Sequence, residues 1–422
     1  MTLRAIEGAA GCGKTFRLMQ LLTERLEQTP LIEGQRVLAL TFMHGARRRL
    51  VERLASVAGL DGRVECLTLD GFAWRLVRRW RGVASELGLP VLLESQFDAV
   101  CDAAGALLEV PAVRSWVSGS FPVVLVDEGQ DLHPQRLRML MATSDATHLL
   151  VAADEFQCLD PELRPNPLVT WMQTQTEPEV LTLVRRTNIA GLLNAATAIR
   201  GAEAPVNSGQ AFKVIAAASV PLAATVVSNA IGWHPGTQDV ALITPSRTGN
   251  FAHDVVNRVA TTASNQGNGP YPLLWEGTDQ DEAQAILVEL ILDAEISGAT
   301  ALAALRVLPR VGPVKSTINW LNRQVHALGR DAFTRAEIEA VITRFVTIRR
   351  QHGRAGSQRY AAMTVHQAKN REFDGVVVLW PYAVAGNADQ KRRLLYNAVT
   401  RAKRWCTVVV QGANVPTTAP FA

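Results

Sequence analysis

Eight consecutive residues, Gly8-Ala9-Ala10-Gly11-Cys12-Gly13-Lys14-Thr15, restrict this chain more than any other stretch. A glycine, four residues and then Gly-Lys-Thr form the phosphate-loop pattern. The glycines let successive backbone N–H groups curl round a β-phosphate, Lys14 reaches the β and γ oxygens, and the Thr15 hydroxyl suits Mg²⁺. Such a loop works between a strand and a helix N-terminus. Leu3–Ile6 reads as that strand and Phe16–Arg25 as that helix. A flexible Gly/Ala turn is the bland alternative, and both flanking patterns weigh against it.

A phosphate site needs acids as well. Phe121–Leu125 leads into Val126-Asp127-Glu128-Gly129-Gln130-Asp131, a hydrophobic strand delivering two carboxylates at its carboxyl tip. Asp127 suits holding magnesium through water, and Glu128 suits polarising the attacking water. At the end of the next strand, Asp154 and Gln157 repeat the theme, with Gln157 positioned to sense a γ-phosphate. The expected ligands are therefore the phosphates of a nucleotide, with Mg²⁺.

The rest of the pattern is α/β. Val37–Leu40, Val123–Val126 and Leu149–Ala152 read as buried parallel strands, with Arg47–Ala55 and His133–Met141 as covering helices. Helical stretches, Trp74–Leu87 and Glu94–Leu108, suggest a small lobe. Asp160–Pro167 reads as a loop, and a second sheet begins near Ala211, with Val240–Thr244, Val376–Trp380 and Thr407–Val410 as strands. Helical periodicity runs over Asp281–Ala294 and Arg335–Arg350, with a turn-rich break at Arg306–Val314, and Pro416–Ala422 reads as a frayed tail. Such a length, 422 residues, allows two or three domains. Five scattered cysteines argue against a disulfide framework or a structural zinc. No apolar run approaches the roughly 20 residues that span a bilayer. Met1–Glu7 leads straight into the glycine-rich loop, so no leader and no membrane partner are expected, and the location expected is cytoplasmic. The net charge of +4 permits a nucleic-acid partner without demanding one.

Further motifs, in order, resemble those of the UvrD/Rep-like superfamily 1 helicases. Leu40-Thr41-Phe42 with Ala46 is similar to the family's first single-strand-contacting motif, and Thr68-Leu69-Asp70-Gly71-Phe72 to its second. Asp127-Glu128-Gly129-Gln130-Asp131 matches Asp-Glu-x-Gln-Asp, and Asp154-Glu155-Phe156-Gln157 resembles the third motif. Arg186 stands where the family places a first arginine finger, although a one-residue slip would exchange it with Arg185. The run from Thr364 to Phe373 resembles Thr-x-His-x-x-Lys-Gly-x-Glu-Phe, and Leu395–Lys403 carries a second finger at Arg401. The resemblance implies two RecA-like P-loop NTPase domains with small, mainly helical insertions. The implied division is 1–172 (insertion about 73–121), 173–415 (reduced accessory insertion about 295–358) and a flexible tail 416–422. It implies catalytic roles for Lys14, Asp127, Glu128, Gln157, Arg186 and Arg401, and a ribose contact at Glu372. It also implies nucleic-acid contacts at Thr41, Phe42, Thr68, Phe72, Thr364 and His366.

Departures matter too. The family's adenine-reading glutamine upstream of the loop has no counterpart, leaving Phe16 or Arg17 to stack on the base. Asp70 stands for a usual histidine and Asn370 for a usual glycine. Cys158-Leu159-Asp160 lacks the usual base-stacking aromatic, for which Trp171 or Phe72 substitutes. The basic runs Arg47–Arg49 and Arg75–Arg81 suit phosphates, and fit solvated helix faces equally well. No nuclease constellation is evident. The function expected is an ATP-dependent helicase or translocase on single-stranded or tailed duplex DNA, moving 3′ to 5′, in repair, recombination or defence. The alternative is a DNA-sensing regulatory ATPase that activates a partner nuclease or effector.

Overall fold

The computed structural model describes residues 3–41, 50–92, 96–277, 279–352 and 359–422. The first sheet holds β1 (Leu3–Gly8), β2 (Val37–Thr41), β3 (Val64–Thr68), β4 (Val123–Asp127), β5 (His148–Ala153) and β6 (Glu179–Leu181). Its order is β3-β2-β4-β5-β1-β6, and every pairing is parallel. Every residue of β2 and β4 is buried, as continuous apolar runs covered on both faces require. The phosphate loop leaves β1, the acidic pair ends β4, and β5 lies between them, so three chemically loaded strand ends share one edge.

The second sheet is also six-stranded and wholly parallel. It is built from β7 (Phe212–Ala217), β8 (Val240–Thr244), β9 (Leu274–Trp275), β12 (Tyr360–Thr364), β13 (Phe373–Trp380) and β14 (Ala402–Gln411), in the order β7-β14-β13-β8-β12-β9. Apolar clusters cover both faces, one centred on Val376, Val378, Leu395 and Val408, the other on Val227, Val255, Val377 and Trp405. The α/β class with parallel sheets and mainly helical insertions is as the sequence indicates. The tail differs from expectation: Phe421 is buried and packs edge-on against Trp380, with centroids 5.6 Å apart. An apolar ring with a pocket available does not stay in solvent.

The chain divides into two compact units. One comprises Met1–Phe72, Leu108–Glu276 and Ser357–Ala422, and contains both parallel sheets. The other joins the two insertions, Ala73–Leu107 and Gly277–Gly356. Within it, β10 (Glu295–Ser297) and β11 (Ala332–Thr334) form an antiparallel ribbon beside helices Gly298–Val307, Gly312–Leu328 and Arg335–His352. Leu305, Leu321, Ile338, Ile342 and Val346 form its core. The expected turn-rich break narrows to the few residues between the first two of these helices. Ser297 caps the first by accepting from Thr300 N, and Pro313 sits in the opening turn of the second. Among the described residues, no helix is long and apolar enough to cross a membrane.

One glycine is fixed by close approach. A Cβ on Gly375 would lie 2.2 Å from the buried indole of Trp405, at the point where the β13–β14 register shifts. Gly375→Ala is expected to lower unfolding stability by about 1–3 kcal/mol through overpacking. Chemical denaturation measures this, and an unchanged midpoint would contradict the contact.

Candidate active site

The phosphate loop turns on Gly11 and Gly13, with φ of +78° and +81°, a region that side chains resist. Space demands glycine at Gly11 as well, because a Cβ there would stand 2.7 Å from Cβ of Arg186. The helix Lys14–Gln28 starts directly after. Lys14 is 6% exposed; its Nζ donates to the Gly8 and Ala9 carbonyls at 2.9 and 3.2 Å and stands 4.0 Å from Asp154 Oδ2. Thr15 Oγ1 donates to Asp127 Oδ2 at 2.7 Å. These two oxygens come from β1's loop and β4's tip, and hard oxygen donors suit Mg²⁺.

The acidic pair is held unevenly. Burial, reinforced by neighbouring Glu128, holds the Asp127 carboxyl above the usual carboxylate range. Burial pushes Glu128 the same way, but Lys14, the hydrogen bond from Gln130, Arg401 and Lys369 together hold it below that range. Glu128 is thus kept ionised, the state a proton acceptor needs. Its backbone is left-handed, with φ +58°, an uncommon and strained choice for a non-glycine residue that aims the side chain off the strand end. Gln130 fixes that aim: Nε2 donates to Glu128 Oε2 at 2.6 Å, while Oε1 accepts from Asp154 N at 3.1 Å.

The second sheet brings cations to the same place. Arg401, 2% exposed, donates through Nη2 to Gln157 Oε1 at 3.3 Å, and Gln157 Nε2 donates to Asp154 Oδ2 at 2.8 Å. Burial and then Arg186 lower the Arg401 guanidinium to about 10, leaving it charged at neutral pH. Arg186 Nε donates to Glu372 Oε1 at 3.0 Å, and its backbone N–H to the Gly11 carbonyl at 3.2 Å. The structure therefore brings together Lys14, Thr15, Asp127, Glu128, Gln157, Arg186, Glu372 and Arg401.

For a base, Phe16 is 49% exposed, with the Arg185 guanidinium 5.3 Å from its ring centre. Arg17 is engaged by Glu179 and Glu24, at 2.7 and 2.9 Å. The one-residue ambiguity resolves into two placements: Arg186 faces Glu372 and Arg401, while Arg185 lies over Phe16.

The expected nucleic-acid contacts are spread unevenly. Phe42 and Arg47–Arg49 lie outside the described residues. Thr41 is buried at the end of β2. Thr68 Oγ1 accepts from Gly71 N at 3.0 Å and so starts the helix Leu69–Arg79. Phe72, as a base-stacking ring, is corrected: it is 0% exposed and meets Phe121 edge-on at 6.3 Å, a core contact with no free face. Trp171 is half-buried in the helix Pro167–Gln175. Thr364 is tied to Gln367, whose Oε1 accepts from Thr364 N at 2.9 Å, and His366 is exposed beside it. Two departures gain physical reasons. Asp70 accepts from the buried Arg136 at 3.0 Å, and Asn370 adopts φ +59°, which asparagine tolerates where glycine is usual.

Some participants carry no assigned role from sequence. Lys369 Nζ pairs with Asp131 at 2.6 and 2.7 Å, although both residues stand inside motifs that signal their presence. Tyr396 Oη accepts from Ala10 N, in the phosphate loop, at 2.9 Å, and burial followed by Asp154 pushes the phenol up to about 12. Arg200, a lone arginine closing the helix Ala190–Arg200, has no sequence signal at all; it donates to Asp154 Oδ1 at 2.8 Å.

Residues 360–409 match the UvrD-like helicase C-terminal domain. No curated protein matches the sequence. Among solved structures, the chain is similar to the arterivirus helicase, nonstructural protein 10, at 11% identity and TM-score 0.41, covering 97% of this chain and 59% of that one. It is similar also to the same arterivirus helicase in complex with DNA, at 11% identity and TM-score 0.39, covering 97% and 61%. The chain thus spans about three fifths of the length of these viral helicase chains. The stretch with a family match is the one that supplies Lys369, Glu372, Tyr396 and Arg401 to the site.

Proposed function

We propose that the chain is an ATP-driven motor of the UvrD/Rep type, a helicase or translocase that moves 3′ to 5′ along single-stranded DNA. Its two motor domains are assigned to the two parallel sheets, with the division moved from 172 to beyond β6, which pairs with β1, and its pathway to DNA repair, recombination or defence. The observation that carries the reading is the meeting at Gln157. One amide touches Asp154 from the first sheet and Arg401 from the second, within reach of the phosphate loop.

The chemistry follows from these groups. Lys14 exchanges two neutral carbonyls for phosphate oxygens. Thr15 and Asp127 supply oxygen ligands, and Mg²⁺, when bound, neutralises phosphate charge. Glu128, ionised and oriented by Gln130, takes the proton of the attacking water. Arg401 and Arg186 neutralise charge spreading over the transferring oxygens, worth roughly 10³–10⁵ in rate for such fingers. Arg401 gives up its contact with Gln157 to do so. Phe16, opposite Arg185, offers the base a stacking face, and Glu372 is assigned to the ribose. Thr364 and His366 are assigned to the strand, with tailed duplex DNA as the substrate and a nuclease or effector as a protein partner.

Lys14→Ala is expected to abolish both ATP binding and hydrolysis. Glu128→Gln is expected to keep ATP affinity while turnover falls roughly 10²–10⁴-fold. Equilibrium binding with single-turnover kinetics separates the two, and equal loss of affinity in both variants removes Glu128 from water activation. Arg401→Ala should reduce turnover far more than affinity. Normal turnover in that folded variant would transfer the finger role to Arg186. Strand displacement on blunt, 3′-tailed and 5′-tailed duplexes tests the motor. A 3′-tail requirement is expected; hydrolysis with neither displacement nor movement along single strands favours the regulatory ATPase.

A further inference from the structure

Asp154 is a carboxylate with no solvent contact. Its side chain is 0% exposed at the end of β5, and a charge there persists only with cations or N–H donors around it. Three donors engage it: Arg200 Nη1 on Oδ1 at 2.8 Å, Phe156 N on Oδ1 at 3.2 Å, and Gln157 Nε2 on Oδ2 at 2.8 Å. Only one of these is a full charge. A second cation, Lys14, waits 4.0 Å from Oδ2 with its hydrogens on neutral loop carbonyls.

We infer that Arg200 is a positioning residue that keeps Lys14 available to phosphate by neutralising Asp154 in its place. The inference rests on the nucleotide-binding reading of the phosphate loop. With Arg200 present, the carboxylate is satisfied, and Lys14 gives up only carbonyl contacts when a polyphosphate arrives. Without Arg200, the buried carboxylate has Lys14 as its cation, and a nucleotide must break a buried ion pair to gain the lysine. Arg200 is itself held for this task. Its guanidinium lies 5.3 Å from the Phe156 ring and 5.7 Å from the Tyr396 ring, and reaches Tyr396 Oη at 3.4 Å. The same Tyr396 oxygen accepts from Ala10 N, so the helix bearing Arg200 is tied to the loop carrying Lys14. Arg200 touches no nucleotide in this scheme; its effect passes through Asp154.

A merely structural arginine and a charge-competing one differ in how they respond to Asp154. The test is equilibrium binding of a fluorescent ATP analogue with Mg²⁺ to the full chain and to Arg200→Gln, Asp154→Asn, the double variant, Arg200→Lys and Lys14→Ala. Arg200→Gln is expected to weaken binding about tenfold or more. Adding Asp154→Asn should restore affinity to within about threefold of wild type, because the competitor for Lys14 has lost its charge. Arg200→Lys, which retains the charge, should stay close to wild type, and it carries the test if Arg200→Gln does not fold: a tenfold loss with Arg200→Lys overturns the inference. It is overturned equally by unchanged affinity in Arg200→Gln, or by a double variant as weak as Arg200→Gln alone. Wild type binding no better than Lys14→Ala would instead retract the nucleotide site itself.

Discussion

Burying a carboxylate costs several kcal/mol unless charge and hydrogen bonds surround it, and the site grows outward from that demand at Asp154. Gln157 bonds it from the following turn, Arg200 from the end of the helix Ala190–Arg200, and Gln130 holds its backbone N–H. Each partner then has a free end. Gln157 extends to Arg401, Gln130 to Glu128, and Arg200 to Tyr396, which in turn takes a phosphate-loop amide. The candidate water activator, the candidate finger and the phosphate loop are thus linked through one buried group.

The same logic governs how the two sheets meet. Asp131 with Lys369, and Asp389 with Arg164, pair residues drawn from opposite ends of the chain. Contacts of this kind are directional, and they exchange partners at less cost than an apolar core that must be exposed. Apolar clusters centre on the individual sheets, around Leu150 in the first and Val376 in the second, with Ala10, Phe156 and Leu159 from the first packed against the latter.

What was legible in the sequence is what lies close together along it. The phosphate loop and the Asp127–Asp131 run encode their geometry within a few residues, so β1, β4 and their loops read correctly. Arg401 was legible only by resemblance, since nothing local says that a helix-end arginine crosses to another sheet. The bond between Arg200 and Asp154 spans 46 positions and that between Ala10 and Tyr396 spans 386, so no local pattern announces either. Phe72 misled for the opposite reason: its motif suggested an exposed ring, but Phe121, far along the chain, closes over it. The helix Gly298–Val307 was not read as an element, because its many alanines leave little contrast between its faces.

If the contacts meeting at Gln157 couple the nucleotide to the strand, as the proposed function requires, each ligand must alter the other's affinity by the same factor. The decisive measurement is the affinity of the full chain for a fluorescent single-stranded DNA, with and without a non-hydrolysable ATP analogue and Mg²⁺. The account predicts a change of about fivefold or more, matched by an equal change in analogue affinity when DNA is added. Identical DNA affinities in both conditions, with the analogue shown to be bound, would contradict it.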